Sequence, residues 1–571
     1  MSWKLIKNAE KRLAGEIALL RPAAGGDIRV ALGYPNTYYV GMSNLGLQLV
    51  YGFLNRLPGV TCERFFLPDD DEMAEYRQCG RHLFTLESQR PVGEFDLVAF
   101  TCAYENDYVN LLTMLEMAGL PLFSAERGQD DPLVMVGGAV TLLNPEPIAD
   151  FVDLFCVGEG EGMVEPIVES LRQHRDLERR ARLEALAQTP GLYVPSLYQP
   201  VYAEGMLQSL EPSGGAPEKV FKNYISREEF AEQDTHSLIL TDDTEFSRSF
   251  LLEVSRGCPY VCRFCTVGFS YPKVRWKPID HLWRAIERVA EHNPKVGLIS
   301  ATVGNHPEIK ELCRRIMGAD LSVSFSSLRA DQLPDEMIEA IVKSGSKTMT
   351  LAPETGSEDL RKSINKRFSD ECYYEAAGRA FAQGIKNLRM YSMVGLPNEL
   401  PTDMDALVEM VLETRAVQRR HGQAGGRITL SLGLFVPKPL TPYQWNAQER
   451  MDVASQRMNV VKKALAREGG VKVNAESPRW ATLEGLLARA DRRMGKVLAR
   501  VYRRPTFSAW MKALEAEGMS LEQENYRERG PDETLPWGHI AASWPRDRLL
   551  KDNQRARTQR FGHSLAKTMV T

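Results

Sequence analysis

Residues 250–265 read FLLEVSRGCPYVCRFC, an apolar run that ends in three cysteines, Cys258, Cys262 and Cys265. The run is strand-like, and Gly257 breaks it, so the thiols stand on a loop that leaves a strand end. Three thiolates on one short loop converge on one metal centre. A structural zinc site wants four closed ligands, and no fourth Cys or His follows at finger or ribbon spacing; His281, His292 and His306 read as parts of helices or their edges. A [4Fe-4S] cluster prefers thiolates, and three of them leave one iron open to an external ligand, which points to chemistry rather than electron storage. The bland alternative is three buried or incidental cysteines, because a free Cys behaves as a small hydrophobe. Three within eight residues at a strand end argue against it.

From this run onward the text alternates. FLLEVS, KVGLIS, LSVSFS, KTMTLAP, KNLRMYSMVG and RITLSLGLFV are strand-like, and five amphipathic runs such as IDHLWRAIERVAEH separate them. That rhythm predicts a parallel sheet curled into an incomplete barrel. A similar rhythm precedes it: DIRVALGYP, SNLGLQLVYGFLNRL, FDLVAFTC, DYVNLLTMLEMAG, PLVMVGGAV and DLFCVGEGEGMVEPIVES predict an open parallel sheet. Gly137 and Gly138 end one of its strands, and Gly158, Gly160 and Gly162 follow another, where such sheets bind ligands. Plain turn chemistry explains the same glycines equally well. The expected division is an extension at 1–26, an open α/β domain at 27–187, a linker with a small hairpin at 188–247, a barrel at 248–447, a helical region at 448–545 and a basic tail at 546–571.

Composition sets the outer limits. The chain has 571 residues, 43% hydrophobic and 26% charged, so it is a globular protein of two or three domains. A net charge of −4 supplies no global field toward nucleic acid or anionic lipid. Nine scattered cysteines, an odd number, argue against a disulfide scaffold and for the reducing cytosol. Charges break every apolar run, so neither a signal peptide nor a membrane span is expected, and the localisation that follows is cytoplasmic.

The triplet, with Phe264 before its last cysteine, resembles the radical S-adenosylmethionine superfamily, over about residues 250–442. The resemblance implies that the open iron chelates the amino and carboxylate groups of S-adenosylmethionine. It also implies an electron donor such as flavodoxin or ferredoxin, and reductive cleavage to methionine and a 5′-deoxyadenosyl radical. VSFSSLRAD places Ser324, Ser326 and Arg329 at the positions that contact ribose and carboxylate. TLAPETGSEDLRK places Glu354 and Gly356, and YSMVGLPNE places Val394 and Gly395, at those near ribose, amino group and adenine. The usual glycine-rich motif is replaced by LISATVGNHPE, which puts Ala301 and Thr302 at the amino-group position. A sulfonium cofactor with a zwitterionic tail needs an acceptor, a donor and an apolar shelf, which Glu354, Arg329 and Phe264 supply in turn. Each has a plainer reading: Glu354 as a first-turn helix carboxylate, Arg329 as a surface ion pair.

An open α/β domain followed by a radical barrel resembles the cobalamin-binding-domain class of that superfamily, in a mostly uncharacterised bacterial branch. YPNTYYVGMSNLGLQLVY, VMVGGAVTLLNPEPIADFVDLFCVGEGEG and FVPKPLTPYQW carry the likeness. It implies a doubly wound, Rossmann-like domain of cobalamin-binding type, then a partial (β/α)6 TIM-like barrel and a helical C-terminal region. A corrinoid there lies on Tyr34, Ser43, Gly137, Gly138 and Glu159, and the reaction is methylation of an unactivated centre. No DxHxxG motif is present to ligate cobalt. The alternatives are a radical rearrangement, cyclisation or oxidation without cobalamin, and, from another class, an iron–sulfur RNA-binding or regulatory module. Sulfur insertion, as in methylthiotransferases, needs a second cysteine triplet, but Cys62, Cys79, Cys102 and Cys156 fall on separate elements. Seven Lys or Arg against two Asp after residue 545 offer a basic face for RNA or a solvated tail. The region from 448 is expected to cover the barrel mouth or to pack on its flank. The substrate is not legible.

Overall fold

A computed structural model describes residues 3–22, 25–271, 273–290 and 295–568, without the side chains of 562–568. His292 lies outside the described residues, as does the end of the basic stretch. The chain is mixed α/β with parallel sheets. Six strands, β1 (Ile28–Tyr34), β2 (Val60–Phe66), β3 (Leu97–Thr101), β4 (Leu133–Gly137), β5 (Leu154–Cys156) and β6 (Leu192–Tyr193), form the first sheet in the order β2-β1-β3-β4-β5-β6. All neighbours are parallel except β5 and β6. Every residue of β2 and β3 is buried, as a parallel sheet covered on both faces requires. Strand order reverses between β1 and β3, which opens a crevice at the carboxyl ends. An antiparallel hairpin of β7 (Tyr198–Ala203) and β8 (Met206–Pro212) follows.

The second series begins at β9 (Phe250–Glu253), with β10 (Ser255–Arg256) and β11 (Arg275–Trp276) flanking the cysteine loop. It continues through β12 (Lys295–Ile299), β13 (Ser322–Phe325), β14 (Thr348–Glu354), β15 (Asn387–Val394) and β16 (Ile428–Leu434). Amphipathic helices separate the strands; in Ile279–Ala290 the buried Leu282, Ala285, Ile286 and Val289 repeat at helical spacing. Among the described residues the strands fall into two parallel sheets, β9-β12-β13 and β14-β15-β16-β17. The last member, β17 (Val471–Ala475), lies inside the region expected to be helical and pairs with β16 from Ile428↔Val471 to Leu432↔Ala475. Its alternation is short and charged, VKVNA, and carries no strong strand signal.

The C-terminal region departs from expectation in part. Helix Met451–Leu465 packs on the barrel flank, burying Ala454, Met458, Val461 and Leu465 in the core of the second series, whereas helices Pro478–Arg489, Met494–Val501 and Phe507–Ala516 bury Leu486, Leu498 and Trp510 in the hydrophobic core of the first sheet. Asn144 donates to the carbonyls of Ala488 and Ala490 at 3.1 and 2.9 Å, fixing that contact. The stretch expected as a basic tail is a helix, Arg546–Thr568, docked beside the cysteine loop. No helix among the described residues is long and apolar enough to cross a membrane.

Candidate active site at the cysteine loop

The loop is closed at its base. β10 pairs antiparallel with β11, so residues 257–274 leave and return at one point. Gly257 turns the chain at φ +89°, where a side chain is strained. A Cβ on Gly268 would stand 2.5 Å from the Tyr260 carbonyl, so only glycine lets the two limbs of the loop cross. Arg263, 1% exposed, pins the middle: it donates to Asp552 at 2.9 and 3.1 Å and to Gln559 at 2.7 Å. Its backbone N–H donates to Ile364. The helix at the chain's end therefore holds the loop in place, a contact invisible from the motif.

Burial pushes the thiols of Cys258, Cys262 and Cys265 above the ordinary range, and their mutual repulsion adds to it. Opposing groups favour the thiolates: the Tyr260 N–H on Cys258, Lys366 and Arg329 on Cys262, and the N–H groups of Val267 and Gly268 on Cys265. Metal binding must displace the protons, and these donors receive the charge. Among the described residues no group of three or more His, Cys, Asp or Glu stands as the ligand set of a single ion. The donor set, three thiols with N–H and cationic partners, fits an iron–sulfur cluster.

Several expected cofactor residues gather here. Thr302 is buried, its hydroxyl without a hydrogen-bond partner of ordinary geometry, and acts on Cys258; Ala301 precedes it, half-buried. Glu354 ends β14 at φ +67°, pairs with Lys366 at 2.6 Å and acts on Cys262 and Cys265. It is not a first-turn helix carboxylate, since the next helix begins at Glu358. Arg329 is not a surface ion pair: it is buried, holds Asp331 at 3.0 Å, stacks 3.7 Å over Tyr260 and points Nη1 at Cys262 Sγ, 4.0 Å away. Phe264 is half-buried against the small apolar cluster of Leu360, Ile364 and Phe435. Ser324 is exposed on β13, while the Ser326 hydroxyl is spent on the Ser300 backbone, accepting from its N–H and donating to its carbonyl.

Three positions serve packing instead. A Cβ on Gly356 would meet the Leu407 backbone at 2.3 Å, so this glycine exists for the close approach of helix Thr402–Arg420. Val394 is fully buried under the helices. Gly395, at φ +77°, donates its N–H to Glu399 at 3.0 Å and leaves no room for a side chain beside Glu449. Lys366 and Tyr260 were missed: neither carries a pattern of its own, and both matter only through the loop they meet.

The first domain sorts its candidates too. A cavity of about 350 Å³ lies between helices Leu45–Arg56 and Val164–Gln173 and the strand ends of β3, β4 and β5, lined by Gly137, Gly138, Gly158 and Glu159. Its lining is mostly apolar, with Leu49, Val50 and Met135 among its walls. Glu253, Arg256 and Tyr271 close it from the radical half, so it opens beside the residues that precede Cys258. Tyr34 and Ser43 do not line it: the Tyr34 phenol is buried near Asp107, and Ser43 Oγ donates to the Tyr39 carbonyl and accepts from Glu245 N–H. Glu159 is no free ligand contact. Arg275 clamps both its oxygens, one at 2.8 Å, and Ile225 N–H donates to it at 2.9 Å. With Arg256 bound to Glu161 at 2.7 Å, the strand-end loop of the first sheet grips both limbs of the cysteine loop.

The sequence falls among known families in the same two parts. Residues 252–411 match the family described as the radical SAM superfamily, and residues 46–195 match radical SAM proteins, N-terminal. The chain is 27% identical over 472 residues to the uncharacterized protein MJ0966 of Methanocaldococcus jannaschii, spanning 82% of this chain and 90% of that one. It is 26% identical over 222 residues to the ribosomal protein uS12 methylthiotransferase RimO of Thermosipho melanesiensis, 36% of this chain and 51% of that protein. A solved structure, the cobalamin-dependent S-adenosylmethionine radical enzyme OxsB with aqua-cobalamin and S-adenosylmethionine bound, is 12% identical, with TM-score 0.45, over 94% of this chain and 79% of that one. The matched segments define an iron–sulfur class that works on S-adenosylmethionine. The chain belongs to the radical SAM superfamily and is an enzyme of it, and the family implies a [4Fe-4S] cluster and S-adenosylmethionine.

Proposed function

We propose that Cys258, Cys262 and Cys265 hold the [4Fe-4S] cluster, that Glu354, Arg329, Ala301 and Thr302 border the S-adenosylmethionine site, and that the enzyme methylates an unactivated centre with cobalamin bound at the first sheet. When bound, the reduced cluster supplies the electron that cleaves S-adenosylmethionine to methionine and a 5′-deoxyadenosyl radical. The protein's part is positional: Arg329 and Lys366 hold positive charge beside Cys262, Glu354 sets an acceptor at the end of β14, and the helix from Arg546 shields the loop. An acidic one-electron donor, flavodoxin or ferredoxin, would dock over the rim beside Tyr260, where Arg367, Arg548, Lys551 and Arg555 outnumber Asp547 and Asp552. The observation that carries the cobalamin reading is the cavity shared by the first sheet's strand ends and the residues just before Cys258.

At about 350 Å³ the cavity holds part of a corrinoid and not the whole molecule; the runner-up is a radical rearrangement, cyclisation or oxidation without cobalamin. Gly137 separates the two. A Cβ there meets only Cys156 Cβ at 3.6 Å, so Gly137→Phe fills the cavity without a backbone clash. Protein purified after growth with hydroxocobalamin is expected to show a stoichiometric corrinoid band that Gly137→Phe abolishes while iron content stays. A substoichiometric band in the wild type, or one unchanged by the substitution, removes cobalamin from the proposal. Dithionite with S-adenosylmethionine is expected to yield 5′-deoxyadenosine; recovery of only intact cofactor under several reductants favours the regulatory-module reading.

A further inference from the structure

The inner face of the four-stranded sheet is open. On β15, Leu388, Met390 and Val394 are buried under the helices while Arg389 and Tyr391, on the opposite face, are exposed. β16 repeats the pattern, with Ile428, Leu430 and Leu432 buried and Thr429 and Ser431 facing the other way; on β17 Lys472 and Asn474 are exposed. Register sets these side chains in rows. Thr350, Arg389, Thr429 and Lys472 stand side by side across four strands, and Tyr391, Ser431 and Asn474 form the next row.

Because the strands are parallel, all of them start at one end, and that end is cationic. A cavity of about 530 Å³ opens there, lined by Thr348, Asn387, Arg389, Arg415, Arg427 and Thr429 among others, with no carboxylate in its wall. The Arg415 guanidinium donates to the carbonyls of Ala424, Gly426 and Gly469, so its charge is not neutralised by an acid there. Arg389, Arg427 and Lys472 make no ion pair among the described residues. At the opposite end Glu354, paired with Lys366, closes β14 beside the cysteine loop, and Glu476 follows β17 over Gly433. From Arg389 to Val394 the strand advances about 16 Å, at about 3.3 Å per residue.

Resting on the reading of the cysteine loop as the radical centre, we propose that the strand-start cavity is an anion subsite for an elongated polar substrate. It takes the phosphate or multi-carboxylate end, and the reacting end reaches the cysteine loop. Guanidinium groups of Arg389, Arg415 and Arg427 with the hydroxyls of Thr348 and Thr429 suit an anion with several oxygens. Tyr391, Ser431 and Asn474 supply hydrogen bonds to a polar middle. Neutral or cationic substrates leave these charges unmatched.

Calorimetric titration of the full chain at low ionic strength, with inorganic pyrophosphate and separately with citrate, tests this. Saturable binding is expected that weakens about tenfold or more in Arg389→Gln and in Arg427→Gln, two cations that line the cavity, and is unchanged in Arg284→Gln, an exposed cation on another helix. Binding of pyrophosphate alone assigns a phosphate end, and comparable binding of citrate assigns a carboxylate-rich one. Equal affinity in all four proteins, or no saturable binding of either anion, overturns the subsite. Iron content and 5′-deoxyadenosine yield are read on the same preparations: if they fail while the anion result holds, the radical assignment falls and the subsite stands.

Discussion

The cysteine loop takes its chemistry from eight consecutive residues and its rigidity from distant ones. Arg263 is tied to Asp552, and the loop's two limbs are tied to Glu159 and Glu161 of the first domain. The strand-end cavity is built the other way round. Its walls come from many separate strands and helices, with Glu253 and Arg256 of the radical half among them, while most of its rigidity is local, in the buried parallel sheet beneath it. A contiguous motif survives the loss of its supports in composition but not in position. A dispersed cavity loses its shape when any wall moves.

The largest effect expected from this contrast is at the motif. Replacing Cys258, Cys262 and Cys265 together with Ala should bring reconstituted iron and 5′-deoxyadenosine to background, while the corrinoid band proposed for the first domain is retained. Mössbauer spectra and iron content of wild type and variant decide it: equal cluster content in both removes these thiols as ligands. Next in size are the supports. Glu159→Gln leaves Arg275 buried without its counter-charge, a loss of about 3 kcal/mol in unfolding free energy. Asp552→Asn acts on a carboxylate that is 21% exposed, so about 1–2 kcal/mol is expected there. Denaturant unfolding ranks the two, and a larger effect at Asp552 would show that the terminal helix, not the first domain, is the main brace of the loop.

The same contrast explains what could be seen in the sequence. The triplet, the alternation of strands and helices and the glycines at Gly137 and Gly138 are local patterns, and the structure places each at a strand end. Glu159 was visible as a strand-end residue, but its clamp on Arg275 joins residues 116 positions apart, which no spacing rule reaches. The helices from Pro478 are amphipathic in sequence; which core they enter depends on the partner surface, and they enter the first sheet's. β17 was lost because it is short: Val471, Val473 and Ala475 alternate with Lys472 and Asn474 over only five residues, between two helical, charged stretches. Gly356 and Gly395 were assigned by position in a motif, whereas their neighbours, the Leu407 backbone and Glu449, show that packing dictates them.

The last effect lies in pH, where the two halves of the molecule pull in opposite directions. In the radical half, burial pushes the Glu399 carboxyl up to about 7 despite Arg457 at 2.7 Å. Between about 4.5 and 7 the folded state then binds more protons than the unfolded chain, so this group's contribution to stability falls as pH rises through that window and is flat above it. In the first domain's interface with the C-terminal region, burial pulls His539 down to about 4 although Glu146 lies 3.7 Å away. Here the unfolded chain binds more protons between about 4 and 6.5, so stability rises with pH across that range. Unfolding free energies at pH 5 and pH 8 should therefore change in opposite senses in two variants. Glu399→Gln should gain on the wild type by about 1–3 kcal/mol more at pH 8 than at pH 5. His539→Gln should show the reverse, its advantage confined to the acid side, with the same order of magnitude. If both variants track the wild type in parallel at the two pH values, neither group titrates as its burial dictates, and the two halves carry no opposed acid–base signature.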